Sequence, residues 1–414
     1  MQEYKSPPCL VGKKNSLGKG GNGKVGFVLG HENEQAIKIF SVNRRLDSKS
    51  RDRRYYRFCK EIEVQKKLST EIEGILPIID FSFPETFSKS QYAWYTMPRA
   101  EKFVVKDGMP LIVKLQRMCE LAKILIELHQ RCIAHRDLKP DNLLIYKGRI
   151  CLADYGLVWS VGENMITPST ESLGPIKILP PELEGREKSL QSGYLKSDIY
   201  LFSKVVWMYV NENDFGYRGE YSRIDPQRCL QPKTNYGKTL EPLHSMMEKC
   251  TKHNWMERPT IEECMELLQS QIMILKGEFP QERERDYTIR EQLNYYIKNV
   301  HLDAVIYEDV EKVFAFLHSM FKIANVEITF IEMGRRRIIN PYSVRRIQDG
   351  LYTFSEEVGE GQTKKYVMYI HRIEISKENI VACLGDISEE KKKNIELLKS
   401  EVISGNYKAE IILK

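Results

Sequence analysis

The chain has 414 residues and a net charge of +6, from 63 Lys and Arg against 57 Asp and Glu. So long a chain exceeds one ordinary hydrophobic core, and two or three domains are expected. Its 42% hydrophobic and 29% charged residues describe a soluble globular protein, and the mild positive charge by itself indicates neither nucleic-acid nor membrane binding. No apolar run reaches membrane-spanning length, and the opening "MQEYKSPPCLVGKK" lacks the apolar core of a secretion signal. The nine cysteines are scattered, odd in number and form no C-x-x-C. Reduced thiols, a cytoplasmic location and no zinc site are the expectation.

The first informative stretch is "LGKGGNGKVGFV", Leu17 to Val28. Gly18, Gly23 and Lys24 satisfy G-x-x-x-x-G-K, but Val25 follows where a Walker A loop needs the Mg²⁺-binding hydroxyl of Ser or Thr. Gly18, Gly20, Gly23 and Val25 satisfy G-x-G-x-x-G-x-V in full. A polar turn, "GHENEQ", and a short apolar strand, "AIKIF", come next. The glycine loop therefore joins two strands of a hairpin, whereas a Walker A loop runs from a strand straight into a helix. Residues 52–68 read as a helix, and "ILPIIDFSF" and "YAWYTM" as strands. From Leu111 onward, Met118, Leu121, Ala122, Leu125 and Leu128 fall on one helical stripe.

A strand-rich lobe, about 10–100, thus precedes a larger helical lobe, 101–275. A boundary follows in "LKGEFPQERERDY", where Gly277 and Pro280 end a helix before a charge run. Residues 276–300 read as a linker or helix, and residues 301–414 as an α+β accessory domain. Its elements are an amphipathic helix with Val310, Phe314, Leu317 and Phe321 on one face, then the strand-like runs "VEITFIEM", "GLYTFSEE", "KKYVMYIHRIEI" and "NIVACLG". A helix from Glu389 to Glu401 and a final strand, "KAEIILK", complete it.

An ordered set of motifs follows the glycine loop. Lys38 lies in "AIKIF", and Glu61 stands 23 positions on, in "KEIEVQKKL". "AHRDLKPDNLLI" holds His135, Arg136, Asp137, Lys139 and Asn142, "LADYGLV" holds Asp154, "LPPELE" holds Glu182, "SDIYLF" holds Asp198, and "ERPT" holds Arg258. In this order the first 275 or so residues resemble the eukaryotic-type protein kinase family, "HRDLKPDN" most specifically.

The resemblance implies a bilobal α+β fold, ATP and Mg²⁺ as cofactors, and a protein substrate, with the chain itself in trans among the candidates. Phosphoryl transfer spreads charge over the equatorial oxygens, so positioning and charge neutralisation carry the catalysis. Backbone N–H groups near Gly20, Gly21 and Gly23 would approach phosphate unobstructed by side chains. Gly18, Val25, Ala36, Met97 as gatekeeper and Ala100 would complete the nucleotide site, Ala100 donating to adenine because Pro98 has no N–H. Lys38 would bind the α/β-phosphates, with Glu61 holding it by an ion pair. Asp154 and Asn142 would carry Mg²⁺, a hard cation that prefers oxygen. Asp137 would accept the substrate hydroxyl's proton, and Lys139 would steady the γ-phosphate. Glu182 and Arg258 are expected to form a structural pair, Asp198 to brace the catalytic loop, and His135 to be structural.

Three positions depart from the family pattern. Tyr155 replaces the Phe of D-F-G. Gln65 stands where a Leu usually packs, which needs a partner or water and suggests a helix that rests outward until activated. Pro175 replaces a Thr typical of Ser/Thr kinases, so a tyrosine or dual acceptor stays open. Ser160, Thr167, Ser169, Thr170 and Ser172 lie between Asp154 and Glu182, where a phosphate would pair with Arg136 and order the loop. The alternatives are a pseudokinase scaffold, against which the intact Lys38, Asp137, Asn142 and Asp154 argue, and a P-loop NTPase, disfavoured by Val25 and the hairpin.

In the accessory domain, "RRIINPYSVRRIQDGLYTF" and "YVMYIHRIEI" faintly resemble WYL-type ligand-sensing domains, without that family's tryptophan. Such a pairing suits a bacterial or phage-borne kinase whose tail regulates it or selects its substrate. Arg335, Arg336, Arg337, Arg345 and Arg346 allow a basic face for nucleic acid or an anionic ligand. A solvated strand face is the favoured reading.

Overall fold

The computed structural model describes residues 4–19, 23–41, 47–87, 90–160, 178–184 and 193–281, with short segments between 283 and 384. The chain divides into two compact units, Met1–Glu278 and Phe279–Lys414.

The first unit opens with β1 (Ser16–Lys19), β2 (Gly23–Phe27), β3 (Gln35–Phe40), α1 (Ser48–Leu68), β4 (Asp80–Ser82) and β5 (Trp94–Pro98). The strands form one antiparallel sheet in the order β1-β2-β3-β5-β4. The glycine stretch accordingly joins the two arms of the β1–β2 hairpin. β3 is apolar on both sides because both are covered. Ile37 and Ile39 pack with Val28 and Trp94, whereas Ala36 and Phe40 pack with Tyr55, Phe58 and Ile62 of α1. Period two then puts Lys38 on the α1 side. α1 begins at Asp47, whose carboxylate accepts from the Ser50 N–H at 2.8 Å. Its buried residues, among them Tyr55, Phe58, Ile62, Gln65 and Leu68, recur at helical spacing.

The apolar run at 75–83 gives less strand than its composition suggests, only β4. Pro77 has no N–H to give a ladder, and Ile75 makes a single parallel bridge to Leu152.

The larger lobe follows with β6 (Glu101–Lys102), α2 (Leu111–Gln130), β7 (Ile133–Ala134), β8 (Leu143–Tyr146), β9 (Arg149–Leu152), β10 (Trp159–Ser160), α3 (Pro181–Glu184), α4 (Tyr194–Val210), α5 (Glu241–Cys250) and α6 (Ile261–Lys276). α4 is buried around almost its whole circumference, as a central helix must be. Leu121 and Leu125 of α2, Phe202 and Val206 of α4, Met246 of α5 and Leu268 of α6 share its core. α6 starts with a reciprocal Thr260–Glu263 capping box. It stops at Gly277, whose φ of 73° is the left-handed conformation that glycine adopts without penalty. Strand-rich and helical lobes together form the expected bilobal α+β fold.

The second unit contains β11 (Ala304–Tyr307), β12 (Ile328–Glu332), β13 (Arg335–Ile339), β14 (Ser343–Gln348), β15 (Leu351–Glu357), β16 (Thr363–Ser376) and β17 (Ile380–Leu384). Their order is β13-β12-β17-β16-β15-β14, with β11 on β16. The five arginines therefore lie on the two strands that end this order. The expected helices at 310–321 and 389–401, and the last strand, lie outside the described residues, as do Gly20, Gly21, Thr167, Ser169, Thr170, Ser172 and Pro175 and the side chain of Ser160.

Candidate active site

The upper wall of the cleft is the α1 side of the sheet. Lys38 and Glu61 are both buried, and Lys38 Nζ lies 2.5 Å from Glu61 Oε1. α1 is thus seated against the sheet, and the outward-resting helix suggested by Gln65 is not what forms. Gln65 finds its partner in the fold: it is buried and donates from Nε2 to the Leu76 carbonyl at 2.9 Å. Ala36 stands opposite Met97 in the β3–β5 register. Both join an apolar cluster that Leu17, Val25, Ala100 and Leu144 pack against. Gly23 approaches β3 so closely that a Cβ there would sit 2.7 Å from the Ile39 carbonyl oxygen, which a side chain could not do without displacing the strand.

The lower wall comes from the turn after β7. His135 and Arg136 donate their backbone N–H groups to the two carboxylate oxygens of the fully buried Asp198 on α4, each at 2.7 Å. His129 Nε2 reaches Asp198 Oδ2 at 3.2 Å. His135 Nε2 donates to the Ala153 carbonyl at 3.1 Å, tying the loop to the segment before Asp154. Asp137 Oδ2 accepts from Lys139 Nζ at 2.6 Å and from Asn142 Nδ2 at 2.9 Å, and Asn142 Nδ2 also donates to the Asp137 carbonyl at 2.7 Å. Asn142 thereby spends its amide N–H groups on Asp137.

Asp154 connects the two walls. Its φ of 66° is left-handed, a conformation in which aspartate is tolerated better than bulkier residues, and Oδ1 lies 3.8 Å from Lys38 Nζ. Burial opposes its ionisation, but Lys38 and Lys139 outweigh burial and hold the carboxyl below its ordinary range. Burial likewise disfavours the Lys38 ammonium, and Asp154 and Glu61 more than offset it, so its pKa is raised. Tyr155 keeps the ring that the motif calls for: it is fully buried, edge-on to His135 at 5.3 Å, and its hydroxyl donates to the Leu152 carbonyl at 2.9 Å.

Glu182 and Arg258 meet as a bidentate buried pair at 2.6 and 2.9 Å. Leu17, Leu144 and Tyr95 were not singled out from the sequence, yet the fold brings them to the cleft. Leu17 precedes the first glycine and Leu144 lies two residues past Asn142, so the motifs' flanks would have found them.

The protein kinase domain family matches residues 11–269. A serine/threonine-protein kinase, MPS1 of Encephalitozoon cuniculi, is 26% identical over 307 residues, 73% of this chain and 49% of that protein. PrkC, a serine/threonine-protein kinase of Bacillus subtilis, is 26% identical over 230 residues, 54% of this chain and 34% of its own. The tyrosine-protein kinase SRK3 of Spongilla lacustris is 27% identical over 183 residues, 40% and 50%. The chain spans half or less of the length of these three relatives. The chain belongs to the protein kinase family.

Proposed function

We propose that the chain is an ATP-dependent protein kinase that transfers a phosphoryl group to serine or threonine hydroxyls of protein substrates, its own activation segment included. The observation that carries this reading is the contact series Glu61–Lys38–Asp154 facing Lys139–Asp137–Asn142 across one cleft. In it Lys38, kept protonated, binds the nucleotide's phosphates, and Glu61 holds Lys38. Asp137 takes the acceptor hydroxyl's proton, and Lys139, already beside it, follows the transferred group. Adenine would occupy the apolar cluster of Val25, Ala36 and Met97 with Ala100 as backbone donor, and Gly18, Gly20, Gly21 and Gly23 would serve the phosphates.

The donor set fits Mg²⁺. Asn142 has committed its N–H groups to Asp137, which leaves Oδ1, and Asp154 is held as a carboxylate. No cluster of three or more His, Cys, Asp or Glu suited to a metal occurs among the described residues. Mg²⁺ takes few protein ligands and completes its shell with phosphate and water. Bound there, the ion supplies neutralisation of phosphate charge.

Activation by a loop phosphate is supported by Arg136. Its guanidinium is buried over the Tyr194 ring at 4.3 Å, and its Nε has no hydrogen-bond partner among the described residues. Burial, helped by nearby Arg57, lowers its pKa. A phosphate on Ser160, Thr167, Ser169, Thr170 or Ser172 would pair with this buried arginine. Relatives of both acceptor classes match, so tyrosine is the second acceptor to test. Residues 1–275 carry the chemistry in this reading, 276–300 link, and 301–414 regulate or select substrate. No helix among the described residues is long and apolar enough to cross a membrane.

The test incubates purified full chain with Mg²⁺ and γ-labelled ATP beside Asp137→Ala, and maps phosphosites by mass spectrometry. Label on Ser or Thr that the variant lacks is the expected result. ATP binding without transfer would overturn the enzyme reading in favour of a scaffold.

A further inference from the structure

The Lys38–Glu61 pair has a third member that no motif announces. Tyr95 stands opposite Lys38 in the β3–β5 register, and its Oη donates to Glu61 Oε1 at 2.8 Å. Lys38 Nζ donates to the same oxygen at 2.5 Å. The other carboxylate oxygen, Oε2, is buried without a hydrogen-bond partner among the described residues. Phe58, nearly one turn before Glu61, packs on Tyr95 with ring centroids 5.8 Å apart. All four side chains are buried, so water cannot replace a missing donor cheaply.

We propose that Tyr95 is a positioning residue of the nucleotide cleft, whose hydroxyl fixes the Glu61 carboxylate toward Lys38 and so holds α1 against the sheet. A carboxylate with one lysine in a desolvated site is poorly compensated. A second donor on the same oxygen, charge-assisted because its acceptor is ionised, repairs that. It also dictates direction: with both bonds on Oε1, the carboxyl cannot rotate without losing one of them. The groups facing Glu61 are Lys38 from β3, Tyr95 from β5, and Asp154 and Tyr155 from the segment after β9. Burial and Asp154 push its carboxyl toward the neutral form, and Lys38 and then Tyr95 pull it back. One turn further on, Gln65 fastens the same face of α1 to the Leu76 carbonyl. Two polar tethers, on Glu61 and Gln65, thus seat the helix.

This rests on the proposed reading of the cleft as a nucleotide site. The test compares full-length chain, Tyr95→Phe, Glu61→Gln and the double variant. Phenylalanine keeps the ring and its packing on Phe58. MgATP affinity is measured by calorimetry from pH 5 to 9, phosphoryl transfer by label, and α1 seating by amide hydrogen exchange. Tyr95→Phe is expected to weaken MgATP binding and kcat/KM about tenfold or more. Losing a donor raises the Glu61 pKa, so the acid limb of binding should move up by about one pH unit. α1 exchange should quicken, and in the Glu61→Gln background the same substitution should be nearly silent.

Wild-type binding with an unmoved acid limb would overturn the proposal. So would an equal loss in both backgrounds, which is the signature of ring packing alone. MgATP binding without transfer in the unaltered chain would refute the enzyme reading while the binding arm still decides Tyr95. If MgATP does not bind, the nucleotide reading fails, and α1 exchange decides.

Discussion

Breaking the Glu182–Arg258 pair tests how the larger lobe is held. Arg258 uses its whole guanidinium. Nη1 donates to Glu182 Oε1 at 2.6 Å and the Lys196 carbonyl at 3.0 Å, Nη2 to Glu182 Oε2 at 2.9 Å and the His253 carbonyl at 3.3 Å, and Nε to the Lys252 carbonyl at 2.8 Å. The side chains are 0% and 5% exposed, so this is not a surface pair of little worth. Glu182→Leu leaves a buried cation, and Arg258→Met leaves a buried anion whose remaining partner is Ser197 Oγ at 2.8 Å. Each is expected to cost about 3–5 kcal/mol, whereas the double variant, apolar on both sides, should recover much of it. For a domain of this size that is a fall of roughly 6–20 °C in Tm. Tryptophan fluorescence during urea unfolding reads it cleanly, because all four tryptophans, Trp94, Trp159, Trp207 and Trp255, belong to the first unit. Single losses below about 1 kcal/mol, the range of exposed pairs, or a double loss equal to the sum of the singles would refute the reasoning.

Lys204 on α4 is buried, caged by Tyr200 and Tyr217 and bonded to the Gly219 carbonyl at 2.5 Å. Burial brings its pKa down from 10.5 to about 6. The unfolded chain then binds this proton, and the folded one does not, between those values, so stability should rise with pH across that window. Lys204→Met should flatten the rise, as denaturation at pH 6.5 and 9 would reveal; an unchanged slope would count against it. Gly74 has φ +94°, and a Cβ there would lie 2.4 Å from Ile124 Cδ1, whereas Gly148, at φ +77°, faces open space. Alanine should therefore destabilise by about 1 kcal/mol or more at Gly74 and less at Gly148; equal thermal shifts would remove the packing term.

What the sequence made legible was whatever its motifs keep local. Asp137, Lys139 and Asn142 fall within one turn of chain, so their mutual contacts follow once that turn forms. The hairpin nature of the glycine loop was readable because a strand, not a helix, follows it. Gln65 was legible as a departure but not in its consequence, because its partner is a carbonyl 11 residues on, in a loop whose path the side-chain pattern does not specify. Tyr95 was less legible still. An aromatic in a strand reads as core, and its hydroxyl finds Glu61 across 34 positions, through a register and a helix orientation that exist only once sheet and helix have packed. The run at 75–83 misled for a related reason: Ile75 and Leu76 are buried by packing in the two core clusters, Ile79 is exposed, and only Asp80–Ser82 pair with β5.

Asp198 explains how a strained loop can be a precise one. Arg136 takes φ +67° immediately before Asp137, a conformation that costs a non-glycine residue on the order of 1 kcal/mol. The N–H groups of His135 and of Arg136 itself both end on one carboxylate, and hydrogen bonds to an ionised acceptor are worth about 1.5–3 kcal/mol each. The brace therefore exceeds the strain it restrains. Because the brace stands on α4, the most completely buried helix of the lobe, Asp137 inherits its position from the core rather than from the loop that carries it.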